Sequence, residues 1–430
     1  MVSTALLLFF VLSSVVSCRD AAAGPFPPAS GQSASVLRIT VRDSHDSEIA
    51  SGNGFVVDAR GIIAAPYHLV ARWIGTSQPR LSLMTADGSL LEAQDLVTAD
   101  EGHDLALVRL KSEGLPAVRF AAKPRVRKGE RLVAFDLSGG GKPVPLEGVV
   151  QAMEKDGLLK ISISLTPGNE GTPLFDKNGD VAGTAVVTGA AQQEGSLTVA
   201  LPASILSGMV RAWREYERGR ALGEGGRTKE ALEAFRRAIQ LRPEYADAHY
   251  ALGVTLSRIG NYAEALDAYA NAVRLMPRHL NSLLYLGKTY TVLGKHGDAI
   301  DTYLKLLELA PDYVEAYVLL GYSYQEKGMN HSAIKAYEDA IRINPDFVDA
   351  YLMLGGLYVK NGNYAEGLKL CKRAVEIQPE HAEARFRLGM LYLLVNNRDA
   401  AMDEYRKLQT LDGAMAEQLL AEIKALGPRN

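Results

Sequence analysis

Cysteine is nearly absent from this chain. There are two in 430 residues, Cys18 and Cys371. If the first is consumed by processing, a single thiol remains and an intramolecular disulfide is excluded. Basic tracts are also missing. The 47 Lys and Arg are set against 50 Asp and Glu, leaving a formal charge of −3. That balance argues against nucleic acid as the main partner. No G-x-x-x-x-G-K phosphate loop occurs. Gly139-Gly140-Gly141-Lys142 lies in a β context without a following helix, so it reads as a surface loop. The eight histidines show no i, i+4 pairing and no cysteine partners, so neither a metal site nor a cofactor is expected.

Long apolar runs are absent too, apart from residues 2–17. That run is short for a membrane span and is followed by a Pro/Ala/Gly/Ser-rich stretch, the pattern of an export signal. Val15-Val16-Ser17-Cys18 resembles the lipobox of bacterial lipoproteins, although no Lys or Arg precedes the run. The resemblance implies lipidation of Cys18 and a membrane-anchored, periplasm-facing protein of the bacterial envelope. The expected division is a signal at 1–17, then the lipidated cysteine and a flexible tether at 18–34.

The second half is dominated by a period. Pro243, Pro277, Pro311, Pro345 and Pro379 fall 34 residues apart. Two glycine ladders keep the same register: Gly219, Gly253, Gly287, Gly321, Gly355 and Gly389, then Gly226, Gly260, Gly294, Gly328 and Gly362 with Asn396. Such a period means stacked helical hairpins. Cut at Ala212, Ala246, Leu280, Val314, Val348 and Ala382, the chain gives six units over 212–415. Each has an amphipathic helix, a Gly (Asn in the last) and a second helix. The second ladder is expected to take left-handed helix-ending positions, which Gly accepts freely and Asn tolerates. The first ladder, with Ala231, Ala265, Ala299, Ala333 and Ala401, supplies small residues where helices approach, and Gly367 does so in the fifth unit. Phe235, Tyr269, Tyr303, Tyr337 and Tyr405 are expected to fill the gap to the next unit. Cys371 takes that position in the fifth unit and reads as a small buried hydrophobe.

This pattern resembles the tetratricopeptide repeat (TPR), and the resemblance implies an all-α solenoid with a capping helix and tail at 416–430. It also implies a concave groove lined by first helices. Tyr250, Leu284, Lys288, Val318, Tyr322, Leu352 and Phe386 are the positions expected to face it and to bind peptides or proteins. The Lys/Asn pattern of carboxylate-clamping relatives is absent, since the expected Asn positions hold Val254, Lys288, Tyr322, Gly356 and Met390.

Residues 35–210 change period from helical to alternating. VLRITV, GFVVDA, GIIAAP, LSLMT, DLALVRL, RLVAFDL, LKISIS and VAGTAVV read as strands. Asp87-Gly88, Asp156-Gly157 and Asn178-Gly179 are hairpin signals. Many short strands suggest a barrel or paired barrels. The order SGNGFVVDARGIIAAPYHLV, GHDLALVRL, KGERLVAFDL, LEGVVQAM, ISISLTPGNEGTPLFDKNGDVAGTAVV, LTVALPASIL resembles trypsin-like, HtrA-type serine proteases. It implies an all-β double barrel and places the catalytic His and Asp at His68 and Asp104. The motif G-N-S-G-G-P-L reads Gly168-Asn169-Glu170-Gly171-Thr172-Pro173-Leu174 here. Gly168 falls at an oxyanion-hole position, and Glu170 replaces the nucleophilic serine.

Acyl transfer of this type needs a hydroxyl activated by the His. A carboxylate is a poor acyl nucleophile, and its charge opposes the oxyanion that must form. The expectation is a remnant triad in which Glu170 pairs with His68 and fills the former attack position. Three functions remain open at this level. The first is a membrane-tethered envelope scaffold, a pseudoprotease domain plus a TPR array, each binding peptides or proteins. The alternative is an active serine endopeptidase whose substrates are recruited by the repeats. The third is a homo-oligomer of stacked arrays. The join near residues 206–216 has no Pro/Gly-rich linker.

Overall fold

The protein is seen here in a computed structural model that describes residues 30–75, 80–120, 126–137, 143–154, 157–165, 168–186 and 198–425. Cys18, the export segment, most of the tether and the Gly139–Lys142 loop lie outside the described residues. The chain divides into two compact units, Met1–Val210 and Arg211–Asn430.

The first unit is a pair of closed barrels. After a short helix α1 (Ser30–Ser33) come β1 (Val36–Arg42), β2 (Glu48–Asp58), β3 (Ile62–Pro66), helix α2 (Tyr67–Gly75), β4 (Arg80–Met84), β5 (Leu90–Asp100) and β6 (Leu105–Leu110). These strands close in the order β1-β2-β3-β6-β5-β4. The second barrel holds β7 (Arg131–Asp136), β8 (Val144–Met153), β9 (Leu159–Ile161), β10 (Pro173–Phe175), β11 (Val181–Val186) and β12 (Thr198–Pro202), closed as β10-β11-β12-β9-β8-β7. Leu37, Ile39 and Val41 alternate along β1 and enter the first core with Ile63, Leu83 and Val108. Period-two spacing sends them to one face. Leu132, Ala134, Val150, Ile161 and Leu174 build the second core. The three hairpin signals sit between consecutive strands, with Gly88, Gly157 and Gly179 at positive φ. β2 departs from simple alternation. Gly52 through Asp58 are all buried, with the turn that follows Gly168 packed on Gly52 and Asn53.

The second unit is a helical run. The chain passes between the units within α3 (Ala203–Glu224). It continues through α4 (Thr228–Leu241), α5 (Ala246–Arg258), α6 (Tyr262–Leu275), α7 (Leu280–Val292), α8 (His296–Leu309), α9 (Val314–Glu326) and α10 (Asn330–Ile343). Last come α11 (Val348–Lys360), α12 (Tyr364–Ile377), α13 (Ala382–Leu394), α14 (Arg398–Leu411) and α15 (Gly413–Ala425). The expected cuts at Ala246, Leu280, Val314, Val348 and Ala382 coincide with helix starts. The closing helix spans Gly413–Ala425, and the Asp412 carboxylate accepts the Met415 N–H at its start. All five glycines of the second ladder and Asn396 have positive φ, from 58° to 80°.

The first ladder explains the aromatic positions. The Tyr269, Tyr303 and Tyr337 rings cover the glycine of their own unit and also reach the next one, where Tyr269 stacks on Tyr285 with ring centroids 5.8 Å apart. A Cβ on Gly253, Gly287 or Gly321 would meet the ring of Tyr269, Tyr303 or Tyr337 at 2.7, 2.4 or 2.5 Å. In the last unit Gly389 instead faces Leu419 of α15, and Tyr405 is only half-buried. Cys371 replaces the ring in the fifth unit, and burial pushes its thiol up to about 11. A further periodic device ties four of the first helices to the preceding proline. His249 Nε2–H donates to Pro243 O at 2.9 Å, Tyr317 Oη–H to Pro311 O at 3.2 Å and Tyr351 Oη–H to Pro345 O at 3.0 Å. Arg385 Nε–H does the same to Pro379 O.

Candidate functional site

β3 ends at Pro66, and the backbone turns at once into α2, presenting His68 on its first turn. Asp104 closes a 3-10 turn (Glu101–His103) in the left-handed region, at φ 52°. From there it meets α2 three ways. Its carbonyl accepts Tyr67 N–H at 3.1 Å, Oδ1 accepts His68 N–H at 2.8 Å, and Oδ2 lies 2.7 Å from His68 Nδ1. A carboxylate can only accept, so Nδ1 carries the proton. The expected pair is therefore assembled.

The Gly168–Thr172 turn is pinned from both sides. Asn53 of β2 is fully buried. Its Nδ2 donates to Asn169 Oδ1 at 3.0 Å and Thr172 Oγ1 at 2.7 Å, and its N–H donates to Glu170 O at 2.7 Å. Gly171 is required here. Its φ is +80°, and a Cβ would lie 2.3 Å from Asn53 O. Arg38 of β1 gives one guanidinium N–H to Gly168 O and another to Ser51 Oγ at 2.8 Å. Thr172 is wholly buried and donates to Asn169 O at 2.6 Å, so its hydroxyl faces inward.

Glu170 does not pair with His68. Its Oε2 accepts the Gly168 N–H at 2.8 Å, and His68 has Asp104 as its ion-pair partner. The reason is local. An amide two residues back in a held turn is in reach without moving the backbone, so this bond costs little ordering. The effect is that the Gly168 amide already serves a carboxylate.

On the helical unit, a cavity of about 310 Å³ lies along the first helices α7, α9, α11 and α13. Three of the expected groove residues line it: Val318, Tyr322 and Leu352. Four do not. Leu284 is 3% exposed and belongs to the core. Tyr250 is spent on ring contacts with Tyr269, His279 and Tyr285. Phe386 packs on the last core cluster. Lys288 pairs with Glu315 at 2.6 Å and lies over the Tyr285 ring. Thr291, Leu319, Met353, Asp349, Glu383 and Arg387 complete the lining. Sequence reasoning missed these because a repeat register marks a face, and only neighbouring helices decide which part of it stays open.

A trypsin-like peptidase domain model matches residues 52–183. Tetratricopeptide repeat models match residues 219–260 and 287–328, 246–279, 318–380 and 359–423. Among curated proteins, the anti-sigma-I factor RsgI9 of Acetivibrio thermocellus is 26% identical over 189 residues, covering 43% of this chain and 26% of the relative. A probable periplasmic serine endoprotease, DegP-like, of Ectopseudomonas mendocina is 30% identical over 139 residues, covering 31% of this chain and 28% of the relative. The chain thus spans about a quarter of each relative's length. A solved serine endoprotease from Yersinia pestis overlays with a TM-score of 0.38 at 19% identity, covering 43% of this chain and 64% of that one. Together with the two closed barrels and the helical array, the domain and repeat model matches establish that the chain joins a trypsin-like peptidase domain to tetratricopeptide repeats.

Proposed function

We propose that this protein is an exported, lipid-tethered scaffold. Its trypsin-like domain holds polypeptide without cleaving it, and its repeat array binds peptides or proteins. One observation carries the reading: in the segment that resembles the nucleophile motif, the Glu170 carboxylate lies on the Gly168 amide at 2.8 Å. Negative charge already sits where an oxyanion would have to form. Among the described residues, two neighbouring hydroxyls are already engaged. Thr172 is buried and bonded, and Ser162 Oγ accepts the Val149 N–H at 2.9 Å. Losing the nucleophile of a comparable triad costs on the order of 10⁶ in rate. The native full chain is expected to leave casein intact.

The endopeptidase reading draws on a specific feature, the well-formed His68–Asp104 pair at 2.7 Å. Cleavage of casein that His68→Ala abolishes would favour it. Export and tethering rest on residues 2–18 and on the periplasmic relative. Labelled palmitate is expected to enter the wild type and not Cys18→Ala when the chain is expressed in a bacterium. Equal labelling of both would remove the tether from the account.

A further inference from the structure

The cavity on the repeat array has a charge pattern that specifies its ligand. Its floor is apolar: Val318 is 9% exposed and Leu352 3%, with Met353 beside them. Around it the charges are arranged in sequence register. Asp349 and Glu383 open successive first helices, as Glu315 opens the one before. Glu315 is answered by Lys288 at 2.6 Å, and Glu383 by Arg387 at 2.6 Å. Arg387 is held further by a 3.4 Å contact to Leu352 O. Asp349, between these two pairs, is exposed and has no cation in ion-pair distance among the described residues. An anionic ligand would have to break an existing pair to find a cation here. A cationic ligand finds a carboxylate ready.

The register also shows where a ligand has room. Across the six units the position one turn after the cavity-facing residue holds Arg220, Val254, Lys288, Tyr322, Gly356 and Met390. Gly356 is the only one without a side chain. It is exposed, and a Cβ there would meet nothing closer than Arg387 Nη1 at 3.7 Å. A mid-helix glycine costs about 1 kcal/mol relative to alanine. No packing contact requires it, so the open space itself is its structural consequence.

We infer that this groove takes an extended peptide segment bearing an aliphatic side chain next to a lysine or arginine. The aliphatic group lies on Val318, Leu352 and Met353 over the gap left by Gly356, and the cation pairs with Asp349. The inference rests on the proposed role of the array as a peptide-binding surface.

The test uses the full chain and three pools of fluorescent heptapeptides, randomised at five positions, with Leu-Lys, Leu-Gln or Leu-Glu fixed at the centre. Anisotropy is expected to rank Lys above Gln above Glu, each step about two- to five-fold, in the range of a partly exposed ion pair. Added salt should compress the ranking. Asp349→Asn should erase the Lys-over-Gln step. Gly356→Leu should abolish binding of all three pools while leaving helicity and melting temperature unchanged or raised. A preference for Glu, or a Lys preference that survives Asp349→Asn, would overturn the charge assignment and leave the array's binding role standing. Binding that survives Gly356→Leu would overturn the location. No binding by any pool to a natively folded chain would overturn both this inference and the role it rests on.

Discussion

His249 shows how one residue can hold a repeat together and limit its pH range. It is 8% exposed and donates through Nε2 to Pro243 O at 2.9 Å. Burial holds the imidazole below its ordinary value, and nearby Arg274 lowers it further, while the bond to Pro243 works the other way. The unfolded chain therefore takes up the proton first, near pH 6.5. The unfolded state then binds more protons, so stability falls as pH drops from about 6.5 toward the lower folded value. Asp247, on the same helix, acts in the opposite sense. Burial raises its carboxyl against the lowering effect of His279 and Arg242, so acidification through its own window favours the fold. A comparison of variants separates the two. Tyr317 and Tyr351 make the same bond to proline in sister units. His249→Tyr should keep the bond and flatten the fall in urea midpoint between pH 7 and pH 5. An unchanged fall would show that another group is responsible.

At the scale of helix pairs, two glycines in one register make opposite predictions. A Cβ on Gly321 would meet Tyr337 Cε1 at 2.5 Å and Cδ1 at 2.7 Å, and that ring is fully buried. Overpacking of this kind costs about 1–3 kcal/mol, more than the roughly 1 kcal/mol gained in helix propensity. Gly321→Ala should therefore lower the melting temperature. Gly355 faces Cys371 Sγ at 3.4 Å and Leu370 Cβ at 3.5 Å, which is ordinary contact. Gly355→Ala should be neutral or stabilise by up to about 1 kcal/mol. Effects of the same size and sign at both positions would contradict this account of the ladder. The helices were legible because their signals are local: a period, a left-handed stop, a small residue. β5 was not. Its LLEAQDLVTAD is mostly exposed or half-buried, so few apolar residues mark its inner face. The last repeat misled for a related reason. Gly389 is covered by Leu419 of the closing helix, a partner that no repeat register names.

At the scale of the molecule, motif order named two pairs that the fold assembles, His68 with Asp104 and Gly168 with Glu170. It misjudged the partner of Glu170. The alternatives were a long-range ion pair and a bond to an amide two residues back, and sequence does not show how Arg38 and Asn53 hold that turn. The groove was legible as a face and not as a cavity. Val318, Tyr322 and Leu352 line it, while Leu284, packed in another core cluster, does not. The central claim is that the trypsin-like domain is complete except for its nucleophile. Its most direct test is casein hydrolysis by the full chain beside Glu170→Ser and Glu170→Ser with His68→Ala. The account predicts no cleavage by the native chain, cleavage by Glu170→Ser, in which the Gly168 amide is released, and none by the double variant. Cleavage by the native chain that requires His68 would contradict it.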